Sequence, residues 1–183
     1  ISGGTIRSTI AGPYQLEVLG TTIANFVLQM GPTNGTHSYA NTLITAGTVQ
    51  ALNNNAISSG PLAIDNAGTL RVNGNNVSVA NLTSLNTGTV TGPGALVYNN
   101  HASAIGTLTV GSDNTSTTFD GVFGNGAAAA LSLTKVGTGT LTLSQVSTNS
   151  GTVAVNGGTI AMTGSGAFTR ASVIVGSGAF FDV

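Results

Sequence analysis

The chain has 183 residues, a formal net charge of -1, no Cys, no Trp and only 5% charged residues, against a usual share of about 25%. Its four basic residues (Arg7, Arg71, Lys135 and Arg170) lie far apart in sequence, so it lacks the Lys/Arg cluster that displaces counterions from nucleic acid; without Cys it holds neither a disulfide framework nor a Cys-ligated zinc site. Hydrophobic residues make up 40% and mean hydropathy is +0.32, which favours collapse over disorder, yet the most apolar run, Ala127 to Leu131, is far short of the about 20 residues a membrane-spanning helix needs.

The chain opens on Ile1 with no basic-then-apolar leader, and reads as a mature form or a piece of a longer product. Gly4-Thr5-Ile6 predicts a first short strand. Residues 11–30 are less regular, with Gly12-Pro13 and a dense apolar stretch from Ile23 to Met30. Pro13 and Pro32 mark corners, because Pro cannot donate to a ladder. Gly31 to Asn41 reads as an extended corner or loop, and Gly47-Thr48-Val49 as the next short strand.

From there one phrase recurs: Gly-Thr, an aliphatic residue, any residue, another aliphatic. It appears as Gly68-Thr69-Leu70-Arg71-Val72, Gly106-Thr107-Leu108-Thr109-Val110 and Gly139-Thr140-Leu141-Thr142-Leu143. It returns as Gly151-Thr152-Val153-Ala154-Val155 and Gly158-Thr159-Ile160-Ala161-Met162, with a shorter version at Gly88-Thr89-Val90. Period two puts the aliphatic residues on one face. Val, Ile, Leu and Thr suit a strand, and the Gly before each suits a turn. Second turn signals follow at Asn73-Gly74, Gly111-Ser112-Asp113 and Asn156-Gly157, and Ser112 to Asn125 reads as a long excursion.

The spacing says more than the phrase. One aliphatic ladder runs Ile6, Leu28, Val49, Leu70, Val90, Leu108, Leu131, Val153, Val173, with a mean step of about 21, and a second runs Leu141, Ile160, Phe181. A period near 20 with two or three short strands predicts a parallel β-helix (β-solenoid), about nine coils of about 21 residues. At about 4.8 Å per coil the rod is roughly 43 Å long. A narrow core favours Val, Ile, Leu and Ala, and repeated corners account for the Gly and Asn. Outward positions such as Thr109, Ser132 and Thr142 stay uncharged, since stacked like charges repel. Nothing marks a domain boundary, so residues 1–183 read as one β-helical segment.

The stretch Leu131-Ser132-Leu133-Thr134-Lys135-Val136-Gly137-Thr138-Gly139-Thr140-Leu141-Thr142-Leu143-Ser144, with Gly151 to Val155 and Asn156-Gly157-Gly158-Thr159-Ile160, resembles the passenger-associated transport repeat, also called the autotransporter-associated β-strand repeat. The resemblance covers about residues 36–183 and is strongest over 131–162; residues 7–35 match poorly. It implies a right-handed parallel β-helix from a type V secreted passenger of a Gram-negative bacterium. It also implies that the passenger crosses the outer membrane through a C-terminal β-barrel and stands on the cell surface or is released. Its partners would be the rest of the passenger chain and that barrel. A barrel needs many strands of about 10 residues with aromatic girdles, and this chain shows none in its sequence.

Enzymatic β-helices need clustered carboxylates, or acids with basic residues and calcium. The acids are Glu17, Asp65, Asp113, Asp120 and Asp182, of which only Asp113 and Asp120 fall within one coil. Solvated loop acids are the simpler reading. His37 and His101 stand 64 residues apart, about three coils, and two His make a poor metal site. Tyr14, Tyr39 and Tyr98 are the candidates for stacking on sugar rings, with partial core burial the simpler reading. The expectation is therefore a non-enzymatic structural stalk with no catalytic, metal or cofactor site, an adhesin or display scaffold whose partner is a host or neighbouring cell surface. Alternatives are a head-to-tail β-solenoid filament and a carbohydrate-binding or carbohydrate-cleaving β-helix.

Overall fold

The computed structural model describes residues 3–19, 27–85 and 94–183, and every regular element in them is a strand. Val90, the phrase around it and the first half of the Ile23–Met30 stretch lie outside the described residues. Among the described residues all the strand pairings are parallel. The chain winds as a β-solenoid of about eight turns with equivalent strands about 21 residues apart.

A broad sheet runs β1 (Gly3–Ile6), β3 (Val27–Met30), β4 (Ser38–Ala51), β5 (Leu62–Arg71), β8 (Leu96–Asn99) and β11 (Val122–Asn125). β2 (Ala11–Val18) adds to β4, and β7 (Leu82–Ser84) to β5. A second sheet begins later and stacks β6 (Asn76–Val79), β9 (Gly106–Val110), β12 (Leu131–Lys135), β15 (Thr152–Val155) and β18 (Ser172–Val175). A third stacks β10 (Thr117–Phe119), β13 (Thr140–Leu143), β16 (Thr159–Met162) and β19 (Phe180–Asp182). β14 (Val146–Ser147) and β17 (Ala167–Phe168) make a short fourth.

The stacking expected from the spacing is present, but the first ladder joins two faces. Leu28, Val49 and Leu70 stack in the broad sheet, and Leu141, Ile160 and Phe181 in the third. Leu70 continues to Val97. Leu108 belongs to the second sheet, opposite Val77 and Leu133; Val153 and Val173 follow Leu133, while Leu131 opposes Gly106. Ile6 opposes Met30 rather than Leu28. Each coil carries several strands, so a residue about 21 positions on can fall on a neighbouring face when a corner lengthens. Steps range from 19 residues (Leu141 to Ile160) to 31 (Val77 to Leu108). The longer coils are why about eight fit instead of nine.

Three local expectations are corrected. Ser38–Asn41 is not loop but the start of the 14-residue β4. Pro13 is no corner; it lies inside β2 where the register slips between Gly12 and Gln15, the kind of irregularity that accommodates a residue without an N–H. The stretch Ser112–Asn125 is no excursion beyond its turn, since it supplies β10 and β11. Phe119 and Phe123 there are fully buried, with ring centroids 5.1 Å apart. Gly121 lets them meet: a Cβ on it would sit 2.4 Å from the Phe119 ring and 2.3 Å from the Ala95 carbonyl.

The phrases land on β5, β9, β13, β15 and β16. Their aliphatic residues Leu70, Leu108, Val110, Leu141, Leu143, Val153, Val155 and Ile160 are buried. The phrase Gly has a different purpose from the turn expected of it, because among these five only Gly158 has a positive φ. A Cβ would instead collide with the coil below: 2.3 Å from the Ile44 carbonyl at Gly68, 2.2 Å from the Thr115 carbonyl at Gly139, 2.4 Å from the Leu131 carbonyl at Gly151. The phrase reads as close backbone approach followed by a core strand. Asn73-Gly74 is a true turn, with φ of 50° and 77°, the pattern of an Asn-Gly tight turn.

Candidate functional site

Asp113 and Asp120 are engaged as ties between coils. Asp113 accepts from the Thr115 N–H (3.0 Å) and hydroxyl (2.8 Å) and from the Asn81 amide (2.5 Å). Its slight burial raises the carboxyl pKa, but these donors outweigh that and hold it below the ordinary value. Asp120 accepts from the Ser144 hydroxyl at 2.6 Å and the Ser84 hydroxyl at 3.5 Å, while its N–H donates to Ser84 Oγ at 2.9 Å. Each carboxylate accepts from a side chain of another coil, Asn81 for Asp113 and Ser144 for Asp120.

The two histidines are placed apart in role. His101 Nδ1 accepts from Ser103 and Ala104 N–H groups, closing its own turn. His37 is buried and its Nδ1 accepts from the Ile10 N–H at 3.0 Å. Nδ1 therefore carries no proton, and the neutral ring carries it on Nε2, which is buried without a partner. Burial lowers the His37 pKa. Among the described residues no three His, Asp or Glu side chains converge as a metal site needs. The tyrosines also diverge: Tyr39 is buried, Tyr98 lies half-buried over Gly124, and Tyr14 stands in solvent. They do not form a common platform.

Lys135 is what the sequence reading missed. It is 1% exposed and occupies an inward position of the second sheet, in a column with Val79, Val110, Val155 and Val175. Its Nζ donates to the carbonyls of Val136 (2.6 Å), Gly137 (3.2 Å) and Gly157 (3.4 Å), tying its own corner to that of the next coil. Burial lowers its pKa, with the Asp113 charge opposing. The signal was period two: Leu131, Leu133 and Lys135 share a face. Asn99 works similarly from the broad sheet. Fully buried, it accepts from Gly74 N–H (2.8 Å) and donates to the carbonyls of Ala104 (2.9 Å) and Ala130 (2.7 Å).

A recess of about 290 Å³ opens where the second sheet begins, lined by Asn54, Asn55, Ser59, Asn76 and Ser78 with His37 in its wall. β6 is the first strand of that sheet, and the coil before it turns over residues 52–60 instead of extending. Asn54 Oδ1 accepts from the Asn76 N–H at 2.8 Å, and the Gly60 carbonyl accepts from the Ala80 N–H at 3.1 Å. Thr107 N–H donates to the Asn75 carbonyl; with parallel alternation this turns the Ser78 N–H and the carbonyls of Asn76 and Ser78 away from β9, toward the recess.

Comparison with models of protein families, with curated proteins and with solved structures returns no match to this chain.

Proposed function

We propose that this chain is a non-enzymatic stalk segment of a secreted, surface-exposed passenger of the autotransporter type, working as an adhesin or display scaffold outside a Gram-negative outer membrane. The reading rests on the coil-on-coil parallel ladder carried by a Gly-Thr-aliphatic repeat, and on the likeness of residues 131–162 to the passenger-associated repeat. A solenoid of this kind gains stability coil by coil, each exported turn docking on the one before. Few charges and many inter-coil ties from Asn, Ser and Thr suit a rod that folds without disulfides. Its partners on this reading are the rest of a passenger chain and an outer-membrane β-barrel translocator.

The test places the chain between a secretion signal and an outer-membrane β-barrel in a Gram-negative host. Surface exposure to added protease, with a folded core that resists digestion, is the expected result. Retention in the periplasm, or complete digestion at the surface, would count against the stalk.

A further inference from the structure

We infer that the recess at the start of the second sheet is a binding site for an uncharged sugar unit. This goes beyond the stalk reading and stands or falls separately from it. Among the described residues the recess carries no charged side chain, which disfavours an ionic ligand. Asn54, Asn55, Asn76, Ser59 and Ser78 each offer both a donor and an acceptor, the pairing that a ring of hydroxyl groups needs. Among the described residues Ile57 is the one apolar side chain in the lining. A protein partner relies on aromatic or aliphatic anchors in desolvated pockets, and this wall provides little for them.

The backbone adds fixed polarity. Asn54 and Gly60 clamp the two ends of the open β6 edge through Asn76 and Ala80. Between the clamps, four residues or ~13 Å apart along the strand, the Ser78 N–H and the Asn76 and Ser78 carbonyls remain directed outward over about two residues or ~7 Å. A pyranose ring covers those three groups. His37 supplies an independent observation. Its Nδ1 is held by the Ile10 N–H in the preceding coil, and its ring lines the recess with Nε2 buried. That Nε2–H is the unpaired buried donor of the wall, and burying a donor without a partner carries a penalty. A sugar oxygen entering the recess, with a small shift of the wall, gives it an acceptor.

Hydrogen bonds alone, without an aromatic platform, give weak binding, with Kd on the order of 1–10 mM. The experiment is a two-dimensional amide NMR titration of the 183-residue chain with D-glucose, D-galactose and N-acetyl-D-glucosamine in turn. Saturable shifts confined to the amides of residues 36–37, 54–59 and 76–80 are expected from at least one sugar. They should vanish in Ser59→Trp, whose exposed position lets the indole fill the recess while the remaining spectrum shows the fold intact. The inference is overturned by no shift from any of the three, or by shifts that persist in Ser59→Trp. Shifts from the neutral peptide N-acetyl-Ser-Gly-amide without any from the sugars would overturn it too, in favour of a strand-edge peptide site. Surface display reads the stalk proposal independently, so a failure here leaves that one standing.

Discussion

Replacing Lys135 by Met separates the ammonium from its stem. Met keeps an unbranched apolar chain in a column otherwise built of Val79, Val110, Val155 and Val175, so packing is largely preserved. What is lost is the donor to three carbonyls, one close at 2.6 Å and two longer at 3.2 and 3.4 Å. A hydrogen bond from a charged group contributes about 1.5–3 kcal/mol net. The two longer bonds contribute less, and removing the cation also relieves its desolvation cost, which opposes the loss. The balance is a destabilisation of about 2 kcal/mol. Solenoid coils open locally, so the assay is native-state hydrogen exchange. The reporters are the Asn156 N–H, bonded to the Lys135 carbonyl, and the Val136 N–H, bonded to Val110. Their exchange should quicken about 30-fold in Lys135→Met. Lys135→Ala, which also opens a cavity, should cost about 2 kcal/mol more. A Met variant exchanging no faster than the native chain would refute the claim that the ammonium staples these corners.

Three other outcomes follow from the same structure. Gly139→Ala, whose Cβ would sit 2.2 Å from the Thr115 carbonyl, should lower stability by more than about 2 kcal/mol in urea unfolding; a neutral result would mean the coils are not held that close. Phe119→Ala, removing a fully buried ring packed on Phe123, should cost about 3–5 kcal/mol by the same measurement. His37 has its pKa lowered by burial. A lowered folded-state value means that its contribution is intact above the unfolded value of 6.5 and is lost as pH falls through the folded value. The stability difference between the native chain and His37→Gln should therefore shrink on acidification below about pH 6.5; a difference that is flat with pH would show that the imidazole is solvated.

The solenoid was legible because three signals agree: period two within each phrase, a Gly before it, and recurrence near 21 residues. Which face each ladder occupies was not legible. Leu70 and Leu108 look like rungs of one ladder, yet they sit on different sheets, because a corner can absorb several residues without leaving a hydrophobic trace. Phe119 and Phe123 were hidden in a segment rich in Ser, Thr, Asn and Asp, where turn chemistry masked two short strands. Lys135 was read as one of four scattered cations, since composition counts a charge without showing whether carbonyls surround it. The recess was harder still. It exists because a strand is missing from one coil, and its lining residues come from two corners and the edge strand β6, which no motif joins.

The spread of coil lengths, from 19 to 31 residues between stacked partners, has an architectural consequence. Registers in the three main sheets persist while the connecting bends absorb extra chain, so foreign segments grafted at a bend need not disturb the stem. The turn after β9, where residues 112–116 are exposed, is such a graft point. A lineage of these rods could exchange its outward decoration freely while keeping the same internal column of Val and Leu.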